Sequence, residues 1–232
     1  MGILNMTPDS FSDGGKFNHE KKAIKKIDQM IKSGADIIDI GGESTRPGSK
    51  TISPEIEWKR VEMVIKKFKK QFSRTLLSID TRKSLVMRNS IKYNVDIIND
   101  VSCFKFDRES IKTIKNKNLW KVVHHMQGTP QTMQIDPKYE HVLLDIYDFF
   151  EKEVAKLKKD KFKDKIILDP GIGFGKNLKH NLMILNKISI FHSLGFPILI
   201  GTSRKRFINQ ISKNFDTKER LGGTLSSVLF SL

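Results

Sequence analysis

Cysteine is almost absent from this sequence: Cys103 is the single one in 232 residues. A lone cysteine can form no intrachain disulfide and no cysteine-based metal site, and it suits a reducing compartment. Long apolar runs are also missing. No stretch approaches the roughly 18 residues that a membrane-spanning helix needs. The N-terminus shows no charged region ahead of an apolar core, so no secretory leader is expected. These absences leave the cytoplasm as the expected location and remove membrane insertion from the expected functions.

Acidic residues are in deficit. The 26 Asp and Glu face 42 Lys and Arg, for a formal net charge of +16. Such an excess is the first mark of a nucleic-acid binder. Here the lysines are spread over helical segments such as "KKAIKKID" and "VIKKFKKQF", where they occupy solvated faces. Nucleic acid is therefore not the expected partner, although the positive field would help gather an anionic substrate.

What the chain does have is alternation. Short apolar runs recur at "GILN" (2–5), "DIIDIGG" (36–42), "LLSIDT" (76–81), "DIIND" (96–100), "WKVVHH" (120–125), "KIILDPG" (165–171) and "PILIGTS" (197–203). Amphipathic segments separate them. One places Ala23, Ile24, Ile27, Met30 and Ile31 on a single face and closes at Gly34. Another opens with Ser53 as N-cap and Pro54 in the first turn. Strands apolar on both faces, alternating with helices, belong to a parallel sheet covered by helices. No linker or shift in composition interrupts the repeat, so residues 1–232 read as one domain.

Nearly every apolar run ends in a polar group: Asn5, Glu43 to Arg46, Asp80, Asn99 with Asp100, His124 with His125, Asp169, and Ser203 to Lys205. In an open doubly wound sheet these would be strung along an edge. In a (β/α)8 barrel all strand ends converge on one mouth. The pattern predicts a TIM-type α/β barrel with about seven of its eight strands present. Asn5 would form the first wall of the mouth, and residues 6–15 a mobile loop over it.

The segments "GILNMTPDSFSDGG", "DIIDIGGESTRPGS", "SIDT", "IIND", "HHMQG", "LDPGIGFGK" and "GTSRKRFI" occur in the order and spacing of one known family. Over essentially its whole length the chain resembles dihydropteroate synthase. The resemblance implies a TIM-barrel transferase of folate biosynthesis, joining p-aminobenzoate to 6-hydroxymethyl-dihydropterin pyrophosphate with Mg²⁺ and releasing pyrophosphate. It also implies a homodimer built through the late helices. The family pattern carries an Arg-x-His motif on an eighth strand, which this sequence does not reach. The expectation is a chain clipped at both ends, with weaker hold on pyrophosphate.

The resemblance places Asp80, Asn99, Asp169 and Lys205 on the pterin. The residue types suit that task. A carboxylate accepts paired N–H donors from a guanidine-like ring edge, and an Asn offers both donors and an acceptor. A fixed carboxylate such as Asp80 also stabilises the positive charge that develops when pyrophosphate leaves an allylic-type carbon. The plainer alternatives are an Asp169–Lys205 ion pair and a helix cap at Asp80. Asn5 is a hard neutral oxygen suited to Mg²⁺, which needs few protein ligands beside phosphate oxygens; a turn-forming Asn is the alternative. The resemblance puts Thr45 and Arg46 near the pyrophosphate and the aminobenzoate, where Arg46 can bind phosphate in bidentate fashion. Ser203 reads as an N-cap and an anion contact, and Phe174 as an apolar wall. Asp80, Lys205 and Arg46 are the expected catalytic groups.

The glycines of "GIGFGK" match neither a dinucleotide fingerprint nor a P-loop, since residue 176 is Lys and residue 170 is Pro. His124 and His125 alternate across a strand and cannot share a face, which argues against a His-metal site. Two other readings are a pterin-dependent methyltransferase domain, disfavoured by the "STRPG" loop, and a truncated, non-catalytic pterin-binding barrel.

Overall fold

The computed structural model describes residues 1–7, 16–46, 48–159, 165–213 and 216–231. Six strands form one parallel sheet in chain order: β1 (Gly2–Asn5), β2 (Ile37–Gly41), β3 (Leu76–Asp80), β4 (Ile97–Asp100), β5 (Trp120–His124) and β6 (Ile166–Asp169). Between and after them lie α1 (Lys16–Lys32), α2 (Pro54–Gln71), α3 (Ser84–Ile91), α4 (Ser110–Ile114), α5 (Val142–Lys159), α6 (Leu178–Asn186), α7 (Arg206–Ser212) and α8 (Leu221–Phe230). A doubly wound sheet reverses its strand order at a switch point. This sheet never reverses, which is the order of a TIM-type barrel, here incomplete.

Local chemistry sets the helix ends. Ser53 Oγ accepts the Ile56 N–H at 3.3 Å, Pro54 occupies the first position of α2, and Glu55 and Glu57 sit in its first turn. α1 closes on Gly34, at φ 95°, where Ala35 N–H reaches back to Met30 O at 3.0 Å. A side chain at that φ would be strained, so glycine ends the helix at little cost.

The chain divides into two compact units. The first carries β1 to β4, α1 to α4 and the start of β5. Its core joins Ile38, Ile40, Leu77 and Ile79 from the strands with Ile65 and Phe68 from α2. The second carries the end of β5, then α5, β6 and the later helices. There Phe150 and Phe191 pack edge to face at 5.5 Å.

Two strand expectations need correction. β1 is half-open rather than buried, with Ile3 55% exposed, because the sheet order places it at an edge with β2 as its neighbour. The seventh run forms a single bridge, Leu168 to Ile198, and no further ladder among the described residues. Pro197 has no N–H to donate and Gly201 weakens pairing, so only three residues lie between two strand breakers. Among the described residues no helix is long and apolar enough to cross a membrane.

Candidate active site

In the first unit the strand register does the assembling. Asn5 pairs with Gly41, Gly41 with Asp80, and Asp80 with Asn99. Register partners in a parallel sheet point to the same face. Asn5, Asp80 and Asn99, each expected in the site, therefore stand in one row at the C-terminal ends of β1, β3 and β4. Gly41 completes the row without a side chain. A Cβ there would lie 3.3 Å from the Asp80 carboxylate, so glycine leaves that group its room.

Asp39, two residues before Gly41, faces the same side and is 4% exposed. Its Oδ2 accepts from Asn99 Nδ2 at 3.1 Å. An ionised carboxylate only accepts, which turns the Asn99 amide nitrogen toward Asp39 and leaves Oδ1 on the other side. Asn99 Oδ1 and Asp80 Oδ1 are both buried and have no hydrogen-bond partner among the described residues. Burial, reinforced by the negative charges of Asp39, Glu57, Asp100 and Glu43, pushes the Asp80 carboxyl well above the usual range. Asp80 is not a helix cap: α3 starts at Ser84, whose N–H donates to Asp107 Oδ2 at 2.8 Å.

After β2, Glu43 is buried and meets two cations. Its Oε2 accepts from Arg82 Nη2 at 2.6 Å and its Oε1 from Lys83 Nζ at 2.8 Å. Lys83 Nζ also donates to Glu57 Oε2 at 2.6 Å. Burial would raise the Glu43 carboxyl, but the bonds from Lys83 and Arg82 outweigh it and hold it below the usual range. Next along the chain come half-buried Thr45 and exposed Arg46. Pro47 and residues 8–15 of the expected mouth loop lie outside the described residues.

In the second unit Asp169 ends β6. Its Oδ1 accepts the Gly171 N–H at 2.8 Å, and its Oδ2 lies 3.9 Å from His124 Nε2. The His124 ring meets Phe174 edge-on at 4.6 Å, and Lys205 Nζ lies 4.7 Å above the Phe174 ring. Lys205 Nζ donates to Ile172 O rather than pairing with Asp169. Burial pulls the Lys205 ammonium down to about 8, with Asp169 opposing the shift. Ser203 is exposed and caps nothing: α7 begins at Arg206, after Lys205.

The glycine-rich loop of this unit is pinned on several sides. Gln134 Nε2 donates to Gly173 O at 2.7 Å and Tyr139 OH to Gly175 O at 2.7 Å. Gly171, at φ 67°, admits no side chain, because a Cβ would lie 2.0 Å from His125 O. Lys176 Nζ sits 2.9 Å from His125 Nδ1 and donates to Phe174 O at 3.0 Å. Burial holds this ammonium well below the usual lysine range, Asp169 opposing and Lys205 adding to the effect. His124 and His125 thus face different surroundings, as adjacent strand residues must.

For magnesium, the donor chemistry fits one residue. Asn5 is exposed at the end of β1 and offers a neutral oxygen. Among the described residues no group of three His, Cys, Asp or Glu could hold a metal alone. Magnesium shared with a substrate's phosphates needs no such cage.

Sequence reasoning missed Asp39, the Glu43–Glu57–Arg82–Lys83 cluster and the burial of Lys176. Asp39 left one signal, an acid in the middle of an apolar strand run, where a charge needs a partner.

The comparisons with known proteins agree along the whole chain. The family model described as "Pterin binding enzyme" matches residues 1–232. Dihydropteroate synthase of Escherichia coli K12 is 42% identical over 232 residues, covering all of this chain and 81% of that protein. A solved dihydropteroate synthase from Xanthomonas albilineans with 4-aminobenzoic acid superposes with a TM-score of 0.92 at 33% identity, covering 100% of this chain and 82% of that one. A structure of the same enzyme in complex with 7,8-dihydropteroate gives 0.88 at 30% identity, with the same coverage. The chain belongs to the pterin-binding enzyme family and, within it, to the dihydropteroate synthases.

Proposed function

We propose that this chain condenses 6-hydroxymethyl-7,8-dihydropterin pyrophosphate with p-aminobenzoate, giving dihydropteroate and pyrophosphate. The observation that carries the reading is the row of Asp80 and Asn99, register partners whose Oδ1 atoms are buried and have no hydrogen-bond partner among the described residues. An acceptor pair of that kind suits the N–H edge of a fused heterocycle, and it rejects analogues lacking those N–H groups.

In this reading Asp80 and Asn99 recognise the pterin edge, with Asp39 fixing the Asn99 amide. Within the second unit, Asp169 is suited to accept ring N–H groups and Lys205 to donate to a ring. Phe174 offers its face to the aminobenzoate ring, Thr45 and Arg46 hold the anionic groups, and Ser203 binds the aminobenzoate carboxylate. The C–O bond of the pterin methylene breaks, and its electron pair leaves with pyrophosphate. Asp80 stabilises the cation-like carbon that remains. The aminobenzoate nitrogen then bonds to that carbon and loses a proton to solvent. The leaving group is already good, so no covalent enzyme intermediate is needed.

Asn5 would hold Mg²⁺, which supplies charge neutralisation for the leaving pyrophosphate. The same reading makes the protein a cytoplasmic homodimer that takes no nucleic acid. Lysines such as the exposed Lys32 and the half-buried Lys66 pair with acids one helical turn away, Asp28 and Glu62, which supports solvated faces over a phosphate-binding stripe.

The test is pyrophosphate release by the folded protein with both substrates and Mg²⁺. The expected result is release that depends on each substrate and stops on chelation. Folded protein that binds pterin yet releases no pyrophosphate would favour a non-catalytic binding barrel.

A further inference from the structure

The segment 44–52 leaves β2 and returns to α2, and one buried carboxylate ties its two ends. Glu43 stands at the start, 5% exposed. Its Oε1 accepts the backbone N–H of Ile52 at 3.0 Å, nine residues on. The same carboxylate is gripped by Arg82 through Nε at 3.1 Å and Nη2 at 2.6 Å, and by Lys83 at 2.8 Å.

Each cation is itself held. Lys83 Nζ bonds Glu57 in the first turn of α2, and the Arg82 guanidinium lies 4.2 Å above the Phe106 ring. The backbone is fixed alongside. Arg60 Nη1 donates to Gly42 O at 2.8 Å, and a Cβ at Gly42 would lie 2.8 Å from Glu57 O. Within the segment Ser49 Oγ donates to Ser44 O at 2.5 Å. The four side chains carry two negative and two positive charges, so the cluster balances without a ligand.

We infer that Glu43 is a positioning residue, which with Arg82 and Lys83 ties residues 43 and 52 together and so sets how Thr45 meets an anionic substrate. The inference rests on the proposed function, since it needs Thr45 to hold substrate. A buried, balanced ion cluster is weak as a source of stability relative to apolar residues of the same size. Its return here is geometric: the Glu43 carboxylate cannot reach all its partners unless residues 43 and 52 are in register. Asp at position 43 is one methylene too short to do the same.

The double variant Glu43→Met with Arg82→Met tests it, because removing one charge of each sign leaves Lys83 paired with Glu57. The expected result is a folded protein whose KM for the pterin pyrophosphate rises about tenfold or more, while its Kd for 6-hydroxymethyl-dihydropterin without pyrophosphate stays within about twofold. A purely structural role would move both constants together or neither. An unchanged KM in the folded variant, beside normal wild-type turnover, overturns the inference and leaves the proposed function standing. Absence of turnover in the folded wild type overturns both. Should the double variant not fold, Ile52→Pro deletes the one N–H that Glu43 holds and no charge. Its KM is expected to rise about threefold, and an unchanged value overturns the inference.

Discussion

Two clusters of charge lie within the first unit and are treated in opposite ways. Glu43, Glu57, Arg82 and Lys83 form a closed set, balanced in charge and joined by contacts of 2.6–3.1 Å. Asp39, Asp80 and Asn99 form an open set of one sign, with two buried oxygens lacking partners among the described residues. The consequences appear in the carboxyls. Lys83 and Arg82 bring Glu43 below its usual range against burial; burial keeps Glu57 above its own despite the bond from Lys83, and burial with neighbouring acids brings Asp80 far above. Only one residue, Thr81, separates Asp80 from Arg82, so the two sets meet along the chain. A closed set spends its polar groups on the protein's own shape. An open set keeps them for something that arrives.

Substitutions can break this contrast. The largest expected effect is on turnover: Asp80→Asn should lower it by about 10²–10³-fold, the scale of losing one preorganised electrostatic group. Its melting temperature at neutral pH should hold or rise, because the wild-type carboxylate is disfavoured in the fold. Turnover assays beside thermal melts check both halves. Lys83→Met comes next and acts on the closed set. It leaves Glu43 with Arg82 alone and Glu57 with no cation, and should destabilise the fold by ~3–5 kcal/mol in urea unfolding. Adding Glu57→Leu to Lys83→Met should recover most of that loss, since the buried charge goes with its partner.

The smallest effect sharpens the comparison through pH. Burial raises the Asp100 carboxyl to about 6, against the bonds from Ser102 and Phe104. An unfolded Asp titrates near ~3.9. Between these values the folded state keeps a proton that the unfolded state has lost, so this group's contribution is full below about 4 and is lost as pH rises toward about 6. Urea melts of wild type and Asp100→Asn across that window should show a difference that shrinks with rising pH. A difference that stays constant would contradict the assignment.

Much of this was legible in the sequence, and the physical reasons are specific. Strand ends are marked by a change from apolar to polar residues, so Asn5, Asp80, Asn99 and Asp169 could be found without coordinates. Their alignment could not, because register depends on pairing between distant segments. Asp39 was hidden inside an apolar run, and its meaning appears only when Asn99, 60 residues away, lies beside it. The closed cluster joins residues about 40 apart, and nothing local distinguishes a buried lysine such as Lys83 from the many solvated ones. The seventh strand failed for a local reason that was visible: Pro197 and Gly201 bracket it. Ser203 failed as a cap because α7 starts three residues later, at Arg206.

The central claim is that the β3–β4 row is kept open for a pterin. Calorimetric titration of 6-hydroxymethyl-dihydropterin pyrophosphate into wild type and into Asp80→Asn, each shown to be folded and each with Mg²⁺, tests it most directly. The account predicts saturable binding by wild type and its loss in the equally stable variant. Equal binding by both proteins would contradict it and would make the open row a feature of the fold alone.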